Sequence, residues 1–83
     1  MKIRYFAWVR ERIGIEAEEI DLPEAVRTVA DLAAFLGARG EGYARAFENP
    51  RIVRAALDRR HVKPDTPLDA AREAAFFPPM TGG

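Results

Sequence analysis

An α+β fold, a sheet with one main helix packed on one face, is what this 83-residue sequence predicts. Three observations carry that prediction. Two short segments near the start alternate apolar with polar residues and apolar runs stand in the middle and at the end of the chain, one capped stretch between them has helical spacing, and turn signals separate them all. A chain of this length buries only roughly 60 to 65% of the surface it exposes when unfolded, so it has room for one core and one domain.

Taken in order, Ile3, Tyr5 and Ala7 alternate with Lys2, Arg4 and Phe6 and predict a first strand over Lys2 to Trp8. The charged stretch from Val9 to Gly14 reads as a loop with Gly14 as its turn signal. Glu18 to Leu22 then alternates up to Pro23 as a second strand, pairing with the first in a long-looped hairpin. Thr28 and Asp31 form a capping pattern ahead of Val29, Leu32, Ala33 and Leu36, which recur at helical spacing and share one face. Gly37 or Gly40 is expected to end this helix in a left-handed conformation, and Glu41 to Phe47 reads as a second short helix. After the Asn49-Pro50 turn, Ile52 to Leu57 predicts a central strand, Asp58 to Arg60 a tight turn, and His61 to Lys63 a brief strand. Pro64 to Pro67 breaks the chain again. The segment from Asp69 to Ala75 has high helix propensity, yet it leads into an aromatic run, and we assign the last strand from about Glu73. Pro78-Pro79 cannot donate ladder hydrogen bonds, so the sheet ends there.

Composition removes most site chemistries. The chain has no cysteine, which excludes disulfides, thiolate catalysis and cysteine-held metals, and it has no serine and only three threonines. His61 is the single histidine, so no histidine-based metal site is expected. Thirteen basic residues balance thirteen acidic ones, against a dedicated nucleic-acid binder, and the short basic run Arg59 to Lys63 lacks the interleaved aromatics of a single-strand binder. No glycine-rich loop follows a strand and opens a helix, so nucleotide binding by this chain alone is not expected. Neither a signal peptide nor the ~20 apolar residues of a membrane span are evident, and a cytoplasmic setting is the expectation.

What remains is the end of the chain. At ~7% average glycine, a Gly-Gly ending arises by chance in about one chain in two hundred. Here it follows a diproline that favours an extended exit, and the six residues from Pro78 to Gly83 can reach roughly 20 Å from the body. We therefore divide the chain into a folded part, 1–77, and a tail, 78–83. Glycine lacks a Cβ, so Gly82-Gly83 can thread a narrow channel. The terminal carboxylate is a poor electrophile until converted to an acyl derivative with a good leaving group, so activation must come from a partner.

The run Phe76-Phe77-Pro78-Pro79-Met80-Thr81-Gly82-Gly83 resembles the C-terminal signature of the molybdopterin synthase small-subunit family. Ile3 to Glu11, with its Val-Arg-Glu segment, and Pro64 to Leu68 are similar to that family too, so the resemblance spans essentially the whole chain. It implies a β-grasp, ubiquitin-like fold. It also implies that Gly83 is adenylated with ATP by an activating enzyme related to the ubiquitin-activating enzymes, and converted by a sulfur donor into a thiocarboxylate. The carrier would then insert Pro78, Pro79, Met80, Thr81, Gly82 and Gly83 into the large synthase subunit and give up sulfur to the cyclic pyranopterin precursor. Two carriers and two large subunits would form a heterotetramer, with the catalytic residues on the large subunit and no cofactor held by this chain. Two local departures stand out: Asp69-Ala70-Ala71-Arg72-Glu73 replaces a commoner Asp-Gly-Asp-Glu turn, and Asp58 stands where relatives carry Asn. Related carriers for thiazole or tRNA thiolation, and ubiquitin-like protein modifiers, share the Gly-Gly chemistry. For docking we nominate an aromatic patch of Phe6 and Phe77 with His61 at its edge, and Arg10 as a rim residue beside Glu11.

Overall fold

The computed structural model describes residues 1–79. Met80, Thr81, Gly82 and Gly83, on which the expected end-group chemistry falls, lie outside the described residues. The elements are β1 (Lys2–Tyr5), α1 (Ala7–Ile13), β2 (Ala17–Glu19), α2 (Val29–Gly37), α3 (Glu41–Ala46), a 3₁₀ turn (Pro50–Ile52), β3 (Arg54–Leu57), β4 (Arg60–Val62) and β5 (Glu73–Phe77). The strands form one sheet in the order β2-β1-β5-β3-β4, with β1 and β5 parallel and the other pairs antiparallel.

Alternation sorts the strand residues onto two faces. Ile3, Tyr5, Ala55, Leu57, Ala74 and Phe76 point inward, where Val29, Leu32 and Leu36 of α2 meet them, and Phe47 packs edge-on against Phe76 at 5.1 Å between ring centroids. The α2 start is fixed locally. Thr28 accepts a hydrogen bond from the Asp31 backbone N–H, and Asp31 in turn accepts from the Arg27 and Thr28 backbone N–H groups, which hold its carboxyl below the usual range. The far end differs from expectation: α2 closes on Ala38 in a right-handed conformation, and Gly40 is extended, so neither Gly37 nor Gly40 is left-handed.

The largest difference lies after β1. The predicted strand over Lys2 to Trp8 stops at Tyr5, Ala7 turns the chain with φ 52°, and the supposed loop is helix α1. Alternation would have buried Ala7. Instead Ala7 is exposed and Val9 is fully buried, because a helical turn brings Val9 onto the core side while Gly14 (φ 96°) caps the end. Helix α1 therefore joins the longer α2 and the short α3 on the inner face of the sheet. Smaller corrections follow the same logic of backbone satisfaction. The second strand is Ala17–Glu19 rather than Glu18 to Leu22, and Asn49 caps the 3₁₀ turn so that β3 begins at Arg54 instead of Ile52. The β3–β4 turn is Asp58-Arg59, both left-handed, which moves Arg60 into β4. Asp58 accepts hydrogen bonds from the backbone N–H groups of Arg72 and Glu73, both at 3.0 Å, and so pins the entry of β5. β5 starts at Glu73 as assigned, since pairing with β1 on one side and β3 on the other outweighs local helix propensity.

One polar cluster ties the inner layer together. Glu18 accepts from the hydroxyls of Tyr5 (2.7 Å) and Tyr43 (2.6 Å) and pairs with Arg39 (3.3 Å), linking β1, β2 and α3. Burial first, then the hydrogen bond to Glu18 and its charge, raise the Tyr5 phenol far above its ordinary value near 10. The sign follows directly. A group with a raised folded-state value contributes stability that is full below the unfolded value and is lost as pH rises past it. We therefore expect stability to fall above about pH 10, with a slope of up to about 1.4 kcal/mol per pH unit from this residue. Urea midpoints measured on both sides of that pH check it: Tyr5→Phe should start lower but fall less steeply, and an equal slope would show that Tyr5 is not the group responsible.

Candidate functional site

With the helices on one side, the other face of the sheet is open. Its residues are read from the register. Arg4 stands beside Ala17 on β2 and Ala75 on β5, Ala75 beside Ala56 on β3, and Ala56 beside His61 on β4. One step toward the tail, Phe77 stands opposite Arg54, and Phe6 continues β1 past the Tyr5–Phe76 pair, its backbone N–H donating to the Phe76 carbonyl at 3.1 Å. Phe6 is 43% exposed, one of the few large apolar side chains so presented. Phe77 is half-buried and its ring lies 5.1 Å from that of exposed His61. The nominated trio of Phe6, Phe77 and His61 thus shares one face, at the end of the sheet from which the tail departs. Arg10 does not join it in the same way: it sits on α1, bordering a shallow depression with Glu11, Gly14, Ile15 and Glu16.

Sequence reading missed the bed beneath the rings. Ala56 and Ala75 form a flat centre, and Arg4 pairs with Glu73 at 3.5 Å on its flank. Their signal was present in the strand alternation, which puts Ala75 on the same face as Phe77, and Ala56 became assignable only once its partner strand was known. A small-residue centre rimmed by aromatics suits docking of a flat apolar surface. Trp8, expected at the end of the first strand, is half-buried on α1 with the Arg12 guanidinium over its ring at 4.4 Å.

The position of Phe6 is set by α1. Phe6 is the extended residue preceding that helix, and α1 is held against α3 through Gly42. Pro78 and Pro79 are half-buried at the edge of the same end, immediately before the tail. Among the described residues no three His, Asp or Glu side chains converge as a metal site requires, and no helix is long and apolar enough to cross a membrane.

A mixed five-stranded sheet of this order, wrapped around helices on one face and open on the other, defines a ubiquitin-like β-grasp domain. The ThiS family model matches residues 3–83, and the chain belongs to that family. It is 39% identical to the molybdopterin synthase sulfur carrier subunit of Escherichia coli strain K12, over all of this chain and 99% of that one. It is 30% identical to the protein of the same name from Haemophilus influenzae, again over all of this chain and 99% of the relative. Among solved structures it is similar to SAMP1 of Haloferax volcanii, with a TM-score of 0.68 and 25% identity, covering 100% of this chain and 98% of the other. A Pyrococcus furiosus protein provisionally named molybdopterin converting factor, subunit 1, gives 0.67 and 27%, covering 95% of each.

Proposed function

We propose that this chain is the sulfur-carrier subunit of a molybdopterin synthase, with Gly83 as its working group. The end-to-end match to two relatives of that name, ending in Gly82-Gly83, carries this reading. In the first step an oxygen of the Gly83 carboxylate attacks the α-phosphorus of ATP on an adenylating enzyme related to the ubiquitin-activating enzymes, and pyrophosphate leaves. Sulfide released by a sulfur donor then attacks the acyl carbon, AMP leaves with the electrons of the acyl–phosphate bond, and loss of the sulfur-bound proton gives a thiocarboxylate. The carrier docks on the large synthase subunit and the thiocarboxylate delivers its sulfur to the pterin precursor, returning as a carboxylate after hydrolysis. Nothing in the chemistry asks this chain for an acid, a base or a metal. It asks for an end without side chains and a face that partners grip in turn.

Intact-mass analysis tests the reading. After incubation with the activating enzyme, ATP and a sulfide source, the mass should rise by the difference between sulfur and oxygen, with the change mapped to Gly83. Isopeptide adducts on target lysines would instead support a protein modifier, and an unchanged mass would reject both.

The open face is proposed as the grip for the large subunit, with Phe6 and Phe77 as its anchors. Aromatic anchors at the centre of an interface commonly contribute 2 kcal/mol or more. Phe6→Asp and Phe77→Asp should therefore each weaken association with the large subunit by about 30-fold or more in calorimetric titration, while leaving the thermal midpoint close to wild type. Copurification at wild-type levels would place the grip elsewhere.

A further inference from the structure

The covered side of the sheet is not filled to its edge. Between α2, the segment from Pro50 to Arg54 and the end of β4 runs a groove of about 750 Å³, within the range of sites that take ligands. Its depth comes from small residues. Val29, Leu32 and Leu36 of α2 reach the core, but the adjacent flank carries Ala30, Ala33, Ala34 and Gly37, none long enough to close the gap toward β3, where Ala55 is also small. The floor is consequently apolar, made by Phe47, Ala55, Val62 and Phe76.

The rim has one sign of charge. Arg51, Arg54 and Lys63 line it and no carboxylate does; the Arg54 guanidinium donates to the Arg51 carbonyl at 3.0 Å, and among the described residues none of the three forms an ion pair. In a chain of zero net charge, this is a local imbalance that a ligand of opposite sign would neutralise. Beside it, Ile52 is 41% exposed. The lining residues Val62, Lys63 and Pro64 continue β4, which stands last in the sheet and has one long side unpaired among the described strands. Such an edge accepts an added strand through main-chain hydrogen bonds.

We propose that this groove docks an extended segment of a partner protein that carries apolar side chains flanked by carboxylates. The apolar floor takes the anchors, the three cations select the flanks, and the β4 edge holds the backbone. The apolar floor lies on the helix side of the sheet, and of the rim only Arg54, which stands opposite Phe77, also borders the open face, so a partner seated here leaves Phe6, His61 and the tail free for a second protein. This assignment stands on groove geometry and charge, and does not depend on the sulfur-carrier reading.

The test is a titration of the ¹⁵N-labelled full-length chain with blocked octapeptides. The probe has the sequence Asp-Glu-Val-Ile-Ala-Leu-Asp-Glu; one control carries Lys at every acidic position, another Ala at every apolar one. Saturable amide shifts should centre on Ala33, Val53 and Val62, with affinity about tenfold or more above either control and falling as salt is raised. Ala34→Trp, which fills the groove, should abolish the shifts. The double variant Arg51→Ala/Lys63→Ala, altered only at surface charges, should weaken binding about fivefold or more with an otherwise native spectrum. Equal binding of the lysine peptide, shifts centred on Phe6 and Phe77, or no saturable shift would overturn the proposal. So would groove shifts that grow with protein concentration alone, which would mark a second copy as occupant. Peptide binding that emerges only after deletion of residues 80–83 would instead assign the groove to the chain's own tail.

Discussion

Removal of Gly83 should abolish sulfur transfer while leaving the fold untouched. The chain end is the only group in the sequence suited to the proposed chemistry, since cysteine and serine are absent and His61 sits on the open face at an edge strand. Shortening the tail by one residue moves the reactive carboxyl back by about 3.5 Å. An in-line attack needs reacting atoms within roughly 3 to 3.5 Å, so a shift of this size takes the carboxyl out of reach of both the adenylating site and the synthase site. We expect loss of activity by at least about a thousandfold in the synthase assay, comparable to removing a reacting group. The thermal midpoint should be unchanged, because the core is built from residues between Ile3 and Phe76. A truncated chain that still formed molybdopterin at a near wild-type rate would remove the end group from the mechanism. Gly83→Ala separates length from shape: the reach is kept and a methyl group is added, so an intermediate loss is expected where the partner's channel is narrow.

Gly42→Ala should destabilise the domain although Ala is the better helix former. A Cβ at position 42 would sit 2.5 Å from the Arg12 carbonyl oxygen and 3.4 Å from the Arg12 carbonyl carbon and the Ile13 Cα. All three are backbone atoms of α1, which cannot swing aside as a side chain can. The propensity gain in α3 is at most about 1 kcal/mol. Pushing two packed helices apart typically costs 1 to 3 kcal/mol and opens space around Val9 and Ala46, both buried. The net expectation is a loss of about 1 to 2 kcal/mol, or roughly 4 to 16 °C in melting temperature for a domain of this size. Gly37→Ala is the control. Its Cβ would meet only the Phe47 Cβ at 3.5 Å, an ordinary contact, so it should be neutral or slightly stabilising. If the two variants melted together, the α1–α3 contact would not be the constraint we describe. Because α1 begins directly after Phe6, Gly42→Ala should also blunt large-subunit binding beyond what unfolding explains.

These two positions mark opposite ends of what a sequence discloses. Gly83 is legible without coordinates because the chemistry proposed for it is that of a chain end. Helix α2 is legible for a related reason: Thr28, Asp31 and the Val29, Leu32, Leu36 spacing all act within one or two turns, so local sequence contains the whole cause. β5 was placed despite the helix-forming residues before it, since the diproline bounded it on one side. Helix α1 was not legible. Its first residues continue a strand pattern, and what ends the strand is a left-handed Ala7 together with burial of Val9 and contact with Gly42, a residue thirty positions further on. Seven residues of middling propensity form a helix here because tertiary packing favours it.

The docking residues fall between these cases. Phe6, Phe77 and His61 could be named from residue type, and alternation put Phe77 opposite in facing to Phe76. Alternation says which residues share a face but not which face the helices cover, nor which strands are neighbours. The parallel pairing of β1 with β5 puts Phe6 next to Phe77, and the β3–β4 hairpin brings His61 to the same surface. By itself, then, the sequence determined the Gly-Gly ending on which the proposed chemistry rests, the class of fold and the well-capped helix, all properties carried by neighbouring residues. Only the tertiary structure decided the open face, the Ala56 and Ala75 bed, helix α1 and the cationic groove, because each depends on contacts between segments far apart in the chain, which no local pattern encodes.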